Sequence, residues 1–211
     1  MAVCRVDHPD ILEFIHCKEK EGELRNFNIS VGLTNDFMEQ VRNNSKEPWI
    51  PTFGGKRWPL RRITRPQGRY TAYEIKEVTM TASELFHEII TAAWRNGEPG
   101  CVFPDAVNET NPLPHLGPIE SCNPCGEQFL HDGDVCNLGS LNLSKFVDPI
   151  THQLDKESLS KSASIGVRML EDVVDTFDLP VKRVENMAKK TRRVGLGLMG
   201  YPLFCYNNLR F

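Results

Sequence analysis

The chain has 211 residues, of which 40% are hydrophobic and 25% charged, a composition that can bury a core and argues against intrinsic disorder. Its formal net charge is −3, so it lacks the positive field with which proteins grip nucleic acid. No segment is long and apolar enough to cross a bilayer, no secretory signal is recognisable, and seven cysteines are an odd number for a disulfide scaffold. We therefore expect a cytoplasmic protein without nucleic-acid or membrane partners.

The first half of the sequence alternates helical and extended patterns. Apolar residues at helical spacing predict a helix over 9–20, and a period of two predicts a strand over 26–33 with one apolar and one polar side. Another helix is predicted over 34–41. Residues 43–67 are rich in Pro, Gly, Trp and Arg and lack a period, which indicates a long loop or insertion. The clearest helix of this half spans 81–95, where a Thr or Ser can cap its start.

The second half begins with a stretch, 99–143, in which the helical period disappears. Its short apolar pieces, 101–103 and 135–143, predict strands separated by ordered loops. A long helix is predicted over 155–177 and a short one over 185–190. This alternation of helices and strands favours the α/β fold class.

Reactive side chains are concentrated in the segment 121–127, Ser-Cys-Asn-Pro-Cys-Gly-Glu. Asn123, Cys125 and Glu127 alternate with other residues, so in an extended segment an amide, a thiol and a carboxylate would face one ligand. The proline and glycine between them interrupt the hydrogen bonding that a central strand needs, which indicates an exposed loop.

A second thiol, Cys136, follows eleven residues after Cys125 and leaves three alternatives open. Cys122, Cys125 and Cys136 could ligate zinc, but a structural zinc site needs four ligands, and the chain has no second C-x-x-C pair. Cys136 and another cysteine could instead exchange thiols and disulfide. The cysteines could also be small buried side chains, an interpretation that suits Cys4, Cys17 and Cys101.

The segment resembles the active-site region of ribonucleotide reductase catalytic subunits, and most closely their adenosylcobalamin-dependent (class II) branch. The resemblance rests on Asn-Pro-Cys-Gly-Glu at 123–127 followed by Cys-Asn-Leu-Gly-Ser-Leu-Asn-Leu at 136–143. Further segments that are similar to the family occur in the same order along the chain, at 5–11, 26–31, 92–100 and 191–197.

The resemblance implies a role for each of four residues. Cys125 matches the cysteine that becomes a thiyl radical and removes the hydrogen from C3′ of the substrate ribose. Glu127 matches the carboxylate that takes the 3′-hydroxyl proton as general base, and Asn123 matches the amide that hydrogen-bonds the substrate. Cys136 matches one of the two cysteines that reduce the substrate at C2′ and end as a disulfide.

The resemblance also implies the fold and the reaction. The chain is expected to be part of a single domain, a ten-stranded α/β barrel with the radical cysteine on an internal loop. The expected reaction is reduction of ribonucleoside diphosphates to 2′-deoxyribonucleoside diphosphates, with adenosylcobalamin as cofactor and no metal ligands in this chain. A thioredoxin-like or glutaredoxin-like reductant is the expected partner, and a homodimer is one option for assembly.

The chain is also expected to be a fragment. In the family, the redox partner of Cys136 should lie upstream of Met1 and the substrate-phosphate loops beyond Phe211, so the isolated chain is expected to be inactive. Alternatives are a class I large subunit, whose radical arrives from a metal-containing partner subunit, a non-catalytic fragment of the barrel, and a zinc module. Cys122 stands where the family usually has a small hydroxyl residue or alanine, and it receives no role.

One motif is interpreted as a decoy. Residues 195–200 spell G-x-G-x-x-G, but a dinucleotide fingerprint needs a preceding strand and an acidic residue about 20 positions later. Here a basic, helix-like segment, 189–193, precedes it, and that run is interpreted as a solvated surface. The family resemblance implies that the glycines are packing positions at the start of a helix.

Overall fold

The structure, a computed structural model, describes residues 1–19, 24, 26–64 and 73–202. It divides into two compact units, Met1–Asp132 and Gly133–Phe211. The strands are β1 (Ala2–Arg5), β2 (Ile29–Gly32), β3 (Thr52–Phe53), β4 (Lys56–Arg57), β5 (Leu60–Thr64), β6 (Glu74–Val78), β7 (Gly100–Val102), β8 (Ser121–Cys122), β9 (Phe129–Leu130), β10 (Asn137–Asn142) and β11 (Val194–Met199). The helices are α1 (Ile11–His16), α2 (Asn35–Arg42), α3 (Ala82–Asn96), α4 (Pro104–Glu109), α5 (Lys156–Asp175) and α6 (Lys182–Thr191).

The first unit is built on a parallel three-stranded sheet in the order β1-β2-β7. Ala2 stands opposite Ile29 in one pair, and Ser30 stands opposite Gly100 in the other. All four residues of the central strand are buried, including Ser30. The strand predicted over 26–33 is therefore confirmed, but its predicted polar side is wrong, because a central strand of a parallel sheet is covered on both faces.

The core of the first unit forms where α1, α2 and α3 meet this sheet. Phe37, which is fully buried, packs edge-on against Trp49 with ring centroids 5.0 Å apart, and the indole Nε1 donates to the Val6 carbonyl at 3.1 Å. The buried apolar side chains of this core are Val6, Ile11, Leu12, Ile15, Val31, Leu33, Phe37, Trp49, Leu60, Ala82, Leu85, Ile89 and Ala92.

Helix α3 confirms the helix predicted over 81–95. Residues at both of its ends are signals that mark helix boundaries in a sequence. The Thr81 hydroxyl accepts from the Glu84 amide at 3.2 Å while the Glu84 carboxylate accepts from the Thr81 amide at 2.8 Å, a reciprocal capping box. Gly97, with φ of +83°, ends the helix in the left-handed conformation that glycine adopts without strain.

The stretch 43–67 differs from the loop that its composition predicts. Within its described part, 43–64, strands β3 and β4 form a short hairpin, and β5 pairs with β6 further along the chain. Leu60 is buried in the core, and Arg61 donates to both carboxylate oxygens of Asp10 at 2.7 Å. Strands β3 and β4 have only two residues each, too few to show a period, and β5 pairs with a strand that lies beyond the stretch.

The second unit consists of the parallel pair β10 and β11 with α5 and α6 in the connection between them. Helix α5 confirms the prediction over 155–177, and the Asp155 carboxylate caps it by accepting from the Ser158 amide at 2.9 Å. The helix lies close to the sheet, since a Cβ added to Gly166 would stand 3.2 Å from Leu196 Cδ1.

The glycine motif 195–200 does not stand at the start of a helix, contrary to what the family resemblance implied. Its first five residues lie in β11 and not at the start of a helix. A Cβ on Gly197 would stand 3.2 Å from the Ser140 hydroxyl oxygen of the neighbouring strand, so the absence of a side chain serves strand packing. The short helix predicted over 185–190 is confirmed as α6, which ends at Thr191 and leaves Arg192 and Arg193 outside it.

The predicted α/β class is confirmed. Both units mix helices with strands, and the sheets of the described residues are open and do not close into a barrel. None of the helices in the described ranges is long and apolar enough to cross a membrane.

Candidate functional site

The residues singled out in 121–127 lie on a β-hairpin of the first unit. Strands β8 and β9 pair antiparallel, with Cys122 opposite Phe129, and the loop between them spans 123–128. Two backbone bonds define this loop: the Asn123 amide donates to the Gln128 carbonyl at 3.1 Å, and the Gly126 amide donates to the Asn123 carbonyl at 3.0 Å. Gly126 has φ of +77°, which explains a glycine at this position of the turn.

The predicted loop is confirmed, but the predicted alternation is not. Cys125 and Glu127 are exposed on the hairpin loop, as expected of residues flanked by Pro and Gly. The chain turns between Asn123 and Gly126, however, so the two-residue period of an extended strand does not apply there. The three residues therefore lie on one loop because the chain turns there, and not because they share one face of a strand.

Asn123 is part of the framework of this loop. It is half-buried, and its side-chain Oδ1 accepts from the Gln128 amide at 3.0 Å. Together with the backbone bonds, this contact fixes the base of the loop on which Cys125 and Glu127 stand. An Asn side chain suits the position because its short amide can bond to nearby backbone.

Cys122, for which the sequence suggested no role, has the character of a buried structural thiol. Its exposed fraction is 3%. Burial and, to a smaller extent, the negative charge of Glu127 raise the pKa of the Cys122 thiol. A thiol with a raised pKa is a poor nucleophile and metal ligand, because both reactions need the thiolate. Cys122 and Cys125 are only three residues apart, but Cys122 is buried and Cys125 is exposed.

Cys136 belongs to the second unit, where it immediately precedes β10 and is half-buried. The residue after it, Asn137, donates from its backbone to the Arg193 carbonyl at 3.2 Å and from its side chain to the Leu170 carbonyl at 2.9 Å. The start of β10 is thereby tied both to β11 and to α5.

Sequence reasoning missed the side chains that surround this position. The Arg193 side chain, interpreted as part of a solvated run, is only 15% exposed and forms an ion pair with Asp134, whose side chain is fully buried. Thr191 also donates its hydroxyl to Asp134 at 2.7 Å. The one signal available was the position of Arg193 within the family-like segment 191–197.

The remaining cysteines of the first unit differ in exposure: Cys4 and Cys17 are half-buried, whereas Cys101 is exposed, so the buried interpretation is wrong for Cys101. Burial raises the pKa of Cys4 to about 11, helped by the charges of Asp7 and Asp10. Burial is also the largest cause of the raised pKa of Cys17 and the cause for Cys101. In the part of the chain that the structure describes, no three His, Cys, Asp or Glu side chains are grouped so that they could hold a metal ion.

Comparison with known proteins identifies similar sequences over nearly the whole chain. The family model described as "Ribonucleotide reductase, barrel domain" matches residues 1–210. The Vitamin B12-dependent ribonucleoside-diphosphate reductase of Thermoplasma acidophilum is 37% identical over 202 residues, which are 95% of this chain and 24% of the relative. The protein of the same name from Mycobacterium tuberculosis is 39% identical over 202 residues, or 95% of this chain and 26% of the relative.

A more distant relative is the Vitamin B12-dependent ribonucleotide reductase of Rhodopirellula baltica. It is 31% identical over 220 residues, covering 93% of this chain and 19% of that protein. The chain therefore spans between about a fifth and a quarter of the length of these curated relatives.

Proposed function

The chain belongs to the ribonucleotide reductase barrel-domain family, and on that premise we propose that it is the central part of an enzyme that reduces ribonucleotides to 2′-deoxyribonucleotides for DNA synthesis. The observation that carries the proposal is the hairpin loop 123–128, which presents an exposed thiol and an exposed carboxylate two residues apart. The names of the Thermoplasma and Mycobacterium relatives support the diphosphate as substrate.

In the proposed mechanism Cys125 carries the radical. Its thiyl sulfur removes the hydrogen atom from C3′ of the ribose, so an S–H bond forms, the C3′–H bond breaks and the unpaired electron moves to C3′. Glu127 accepts the proton of the 3′-hydroxyl, a role for which an ionised carboxylate is suited because it is acceptor-only. Asn123 holds the loop with its Oδ1 and offers its amide N–H donors to the substrate.

Cys136 is proposed as one of the two thiols that reduce C2′. Two thiols give up two electrons and two protons in forming a disulfide: one proton leaves with the 2′-hydroxyl as water, and the other forms the new C2′–H bond with the two electrons. The Cys125 S–H then returns its hydrogen atom to C3′, which restores the thiyl radical. An external dithiol, thioredoxin-like or glutaredoxin-like, then restores the thiols by exchange. A homodimer is the assembly that we propose for the complete enzyme.

The parallel pairs of the two units support the finer description of the fold. We propose that β1-β2-β7 and β10-β11 are parts of a ten-stranded α/β barrel, with the loop of Cys125 inside it. Each parallel connection contains helices, as crossovers between parallel strands require.

Adenosylcobalamin is the proposed cofactor, and when bound it would supply the generation of the radical. The names of the relatives support this choice over a class I large subunit, which would take its radical from a partner subunit. The described residues give the cofactor no identified ligand, and the roles proposed for Asn123, Cys125, Glu127 and Cys136 do not depend on contacts to it.

The proposal is tested by assaying cytidine diphosphate reduction by the complete polypeptide that contains this chain, with a dithiol reductant and with or without adenosylcobalamin. We expect activity only with the cofactor. Cys125→Ala should abolish it, whereas Cys101→Ala, which removes another exposed thiol of the same unit, should retain it. Glu127→Gln should lower kcat by about 10² to 10⁴-fold, the usual contribution of a general base.

Two other outcomes would change the assignment. Activity that needs a metal-containing partner subunit instead of the cofactor would assign the protein to class I and leave the residue roles standing. Full activity of Cys125→Ala would contradict the radical role of Cys125.

A further inference from the structure

A buried ion pair stands at the start of β10, beside Cys136. The Arg193 Nε donates to Asp134 Oδ2, and the exposed fractions of the two side chains are 15% and 0%. The Thr191 hydroxyl donates to the other carboxylate oxygen, Asp134 Oδ1, at 2.7 Å. Both oxygens of this carboxylate are therefore held by residues at the junction of α6 and β11.

The strand register places Arg193 next to Cys136. The first paired residues of the parallel ladder are Asn137 and Val194, so Cys136 and Arg193 are the residues that immediately precede it on the two strands. The Asn137 amide donates to the Arg193 carbonyl at 3.2 Å, which continues the ladder up to this point. Neighbouring strands lie about 4.8 Å apart, so Arg193 is the cross-strand neighbour of Cys136.

Arg193 consequently bonds to the chain on both sides of Cys136. Its side chain holds Asp134, two residues before the thiol, and its carbonyl holds Asn137, one residue after it. Removing one partner of a buried ion pair is unfavourable, because the remaining charge loses a close opposite charge in a place away from water. The segment 134–137 is thus held in one conformation by contacts that tolerate little movement.

The neighbouring arginine provides a contrast. Arg192 donates to Glu171 at 2.8 Å and to Asp175 at 2.6 Å, both on α5, and these three side chains are about a third or more exposed. Exposed pairs of this kind contribute little to stability. The ion-pair partners of Arg192 thus lie on α5, whereas the ion-pair partner of Arg193 lies two residues before Cys136.

We propose that Asp134, Thr191 and Arg193 form a clamp that positions the Cys136 thiol. In the reaction proposed above, a reducing thiol must meet C2′ at a defined distance, and an error of about 1 Å is enough to slow such a step considerably. Arg193 and Asp134 act through the backbone around Cys136, so they are positioning residues. The functional meaning rests on the proposed role of Cys136, while the clamp itself is a claim about the segment 134–137.

The clamp is tested by the rate at which iodoacetamide alkylates Cys136 in the native chain, followed by peptide mass spectrometry. Arg193→Gln should raise the rate about tenfold or more, because the half-buried thiol becomes accessible when the segment opens locally. Arg192→Gln removes the same charge one residue away and should change the rate by about twofold at most. The rate at the exposed Cys125 of the same sample serves as the internal reference.

A double-mutant cycle separates the clamp from a general loss of structure. Asp134→Asn keeps an acceptor for the Thr191 hydroxyl but removes the ion pair, and it should raise the Cys136 rate as Arg193→Gln does. Combining the two changes should raise it no further, since both act through one pair. Arg193→Lys, which keeps the charge, should restore much of the protection even where Arg193→Gln unfolds the unit.

Several results would overturn the clamp: additive effects in the cycle, an equal effect of Arg192→Gln, a slower rate in Arg193→Gln, or no change at all. Because alkylation needs no turnover, the result is independent of whether the complete polypeptide reduces nucleotides. An active reductase in which Cys136 reacts alike with and without Arg193 would remove the clamp and leave the proposed function standing.

Discussion

Glu185 is a single carboxylate whose ion pairs make the stability of the folded chain depend on pH. It lies on α6 with an exposed side-chain fraction of 11%, and it accepts from Lys182 Nζ and Lys189 Nζ, both at 2.7 Å. These two bonds lower the pKa of Glu185 from 4.5 to about 2. The folded state therefore favours the ionised form more strongly than the unfolded chain does.

The sign of the pH dependence follows from this lowered pKa. Because the folded pKa is below the unfolded one, the contribution of Glu185 to stability is complete above about pH 4.5 and is lost as the pH falls toward 2. Glu185→Gln should lower the urea midpoint of unfolding at pH 7. The difference in urea midpoint between the variant and the unchanged protein should shrink as the pH falls from 4.5 to 2. A pH-independent difference would contradict the assignment.

The matched control for this measurement is Glu157→Gln. Glu157 is an exposed glutamate in the first turn of α5, the other long helix of the same unit. Its replacement removes an exposed carboxylate of the same unit and should lower the urea midpoint at pH 7 by clearly less than Glu185→Gln does.

At this scale the sequence predicted some properties of the candidate site and missed others for a physical reason. The exposure of Cys125 followed from the Pro and Gly beside it, because those residues act locally. The burial of Arg193 could not be predicted in the same way. It depends on Asp134, which is 59 residues away in the sequence, so no local pattern distinguishes it from its exposed neighbours.

Among the elements, α5 is the one whose apolar face organises the second unit. Leu170 is 6% exposed, and its Cδ2 lies 3.6 Å from the place that a Cβ would take on Gly139 of β10. Met169, the preceding residue, is 65% exposed. Adjacent residues of one helix thus point to the sheet and to solvent.

We predict that Leu170→Ala destabilises this unit by about 2 to 4 kcal/mol, the cost of removing buried methyl groups and leaving a cavity under the helix. Met169→Ala should change the free energy of unfolding by about 0.5 kcal/mol or less, because its side chain is exposed. Denaturant unfolding monitored by circular dichroism measures both. Similar losses in the two variants would mean that α5 does not pack on β10 through Leu170.

Elements were predictable where the signal was local. Helices α3 and α5 carry capping residues and a sustained apolar stripe, and both were predicted closely. Helix α4 was missed because Pro104 is the one buried residue among its six, so it has no apolar stripe, although a proline at the first position is a helix-start signal. Strands β3 and β4 were missed because two residues each are too few for a period, although Gly54-Gly55 between them is a hairpin signal. Strand β5 was missed because its partner β6 lies beyond the stretch.

For the molecule as a whole, the proposal of a barrel comes from the family and not from the two units. The chain matches the barrel-domain family over residues 1–210 but spans only 24% and 26% of its Thermoplasma and Mycobacterium relatives. Local patterns predicted the α/β class, whereas the proposed barrel comes from the family resemblance, since closure of a sheet depends on strands far apart in sequence.

We predict that the 211-residue chain by itself forms no deoxynucleotide from cytidine diphosphate, with or without adenosylcobalamin and a dithiol. The reason is that the chain spans only about a quarter of the length of these relatives, while the proposed mechanism needs a second reducing thiol and phosphate contacts besides the four proposed residues. The complete polypeptide containing the chain, assayed in parallel, is the positive control. Measurable product from the isolated chain would refute the prediction.

The paired arginines at the start of β11 also have a consequence for how this strand can pair. If β11 slipped by one residue against β10, Arg192 would become the neighbour of Cys136, and Arg193 would move away from Asp134. The same slip would pull Arg192 away from Glu171 and Asp175. A misaligned strand would thus separate Arg193 from the buried Asp134 carboxylate. The adjacent arginines have different partners, so the loss of this buried pair disfavours the alignment shifted by one residue.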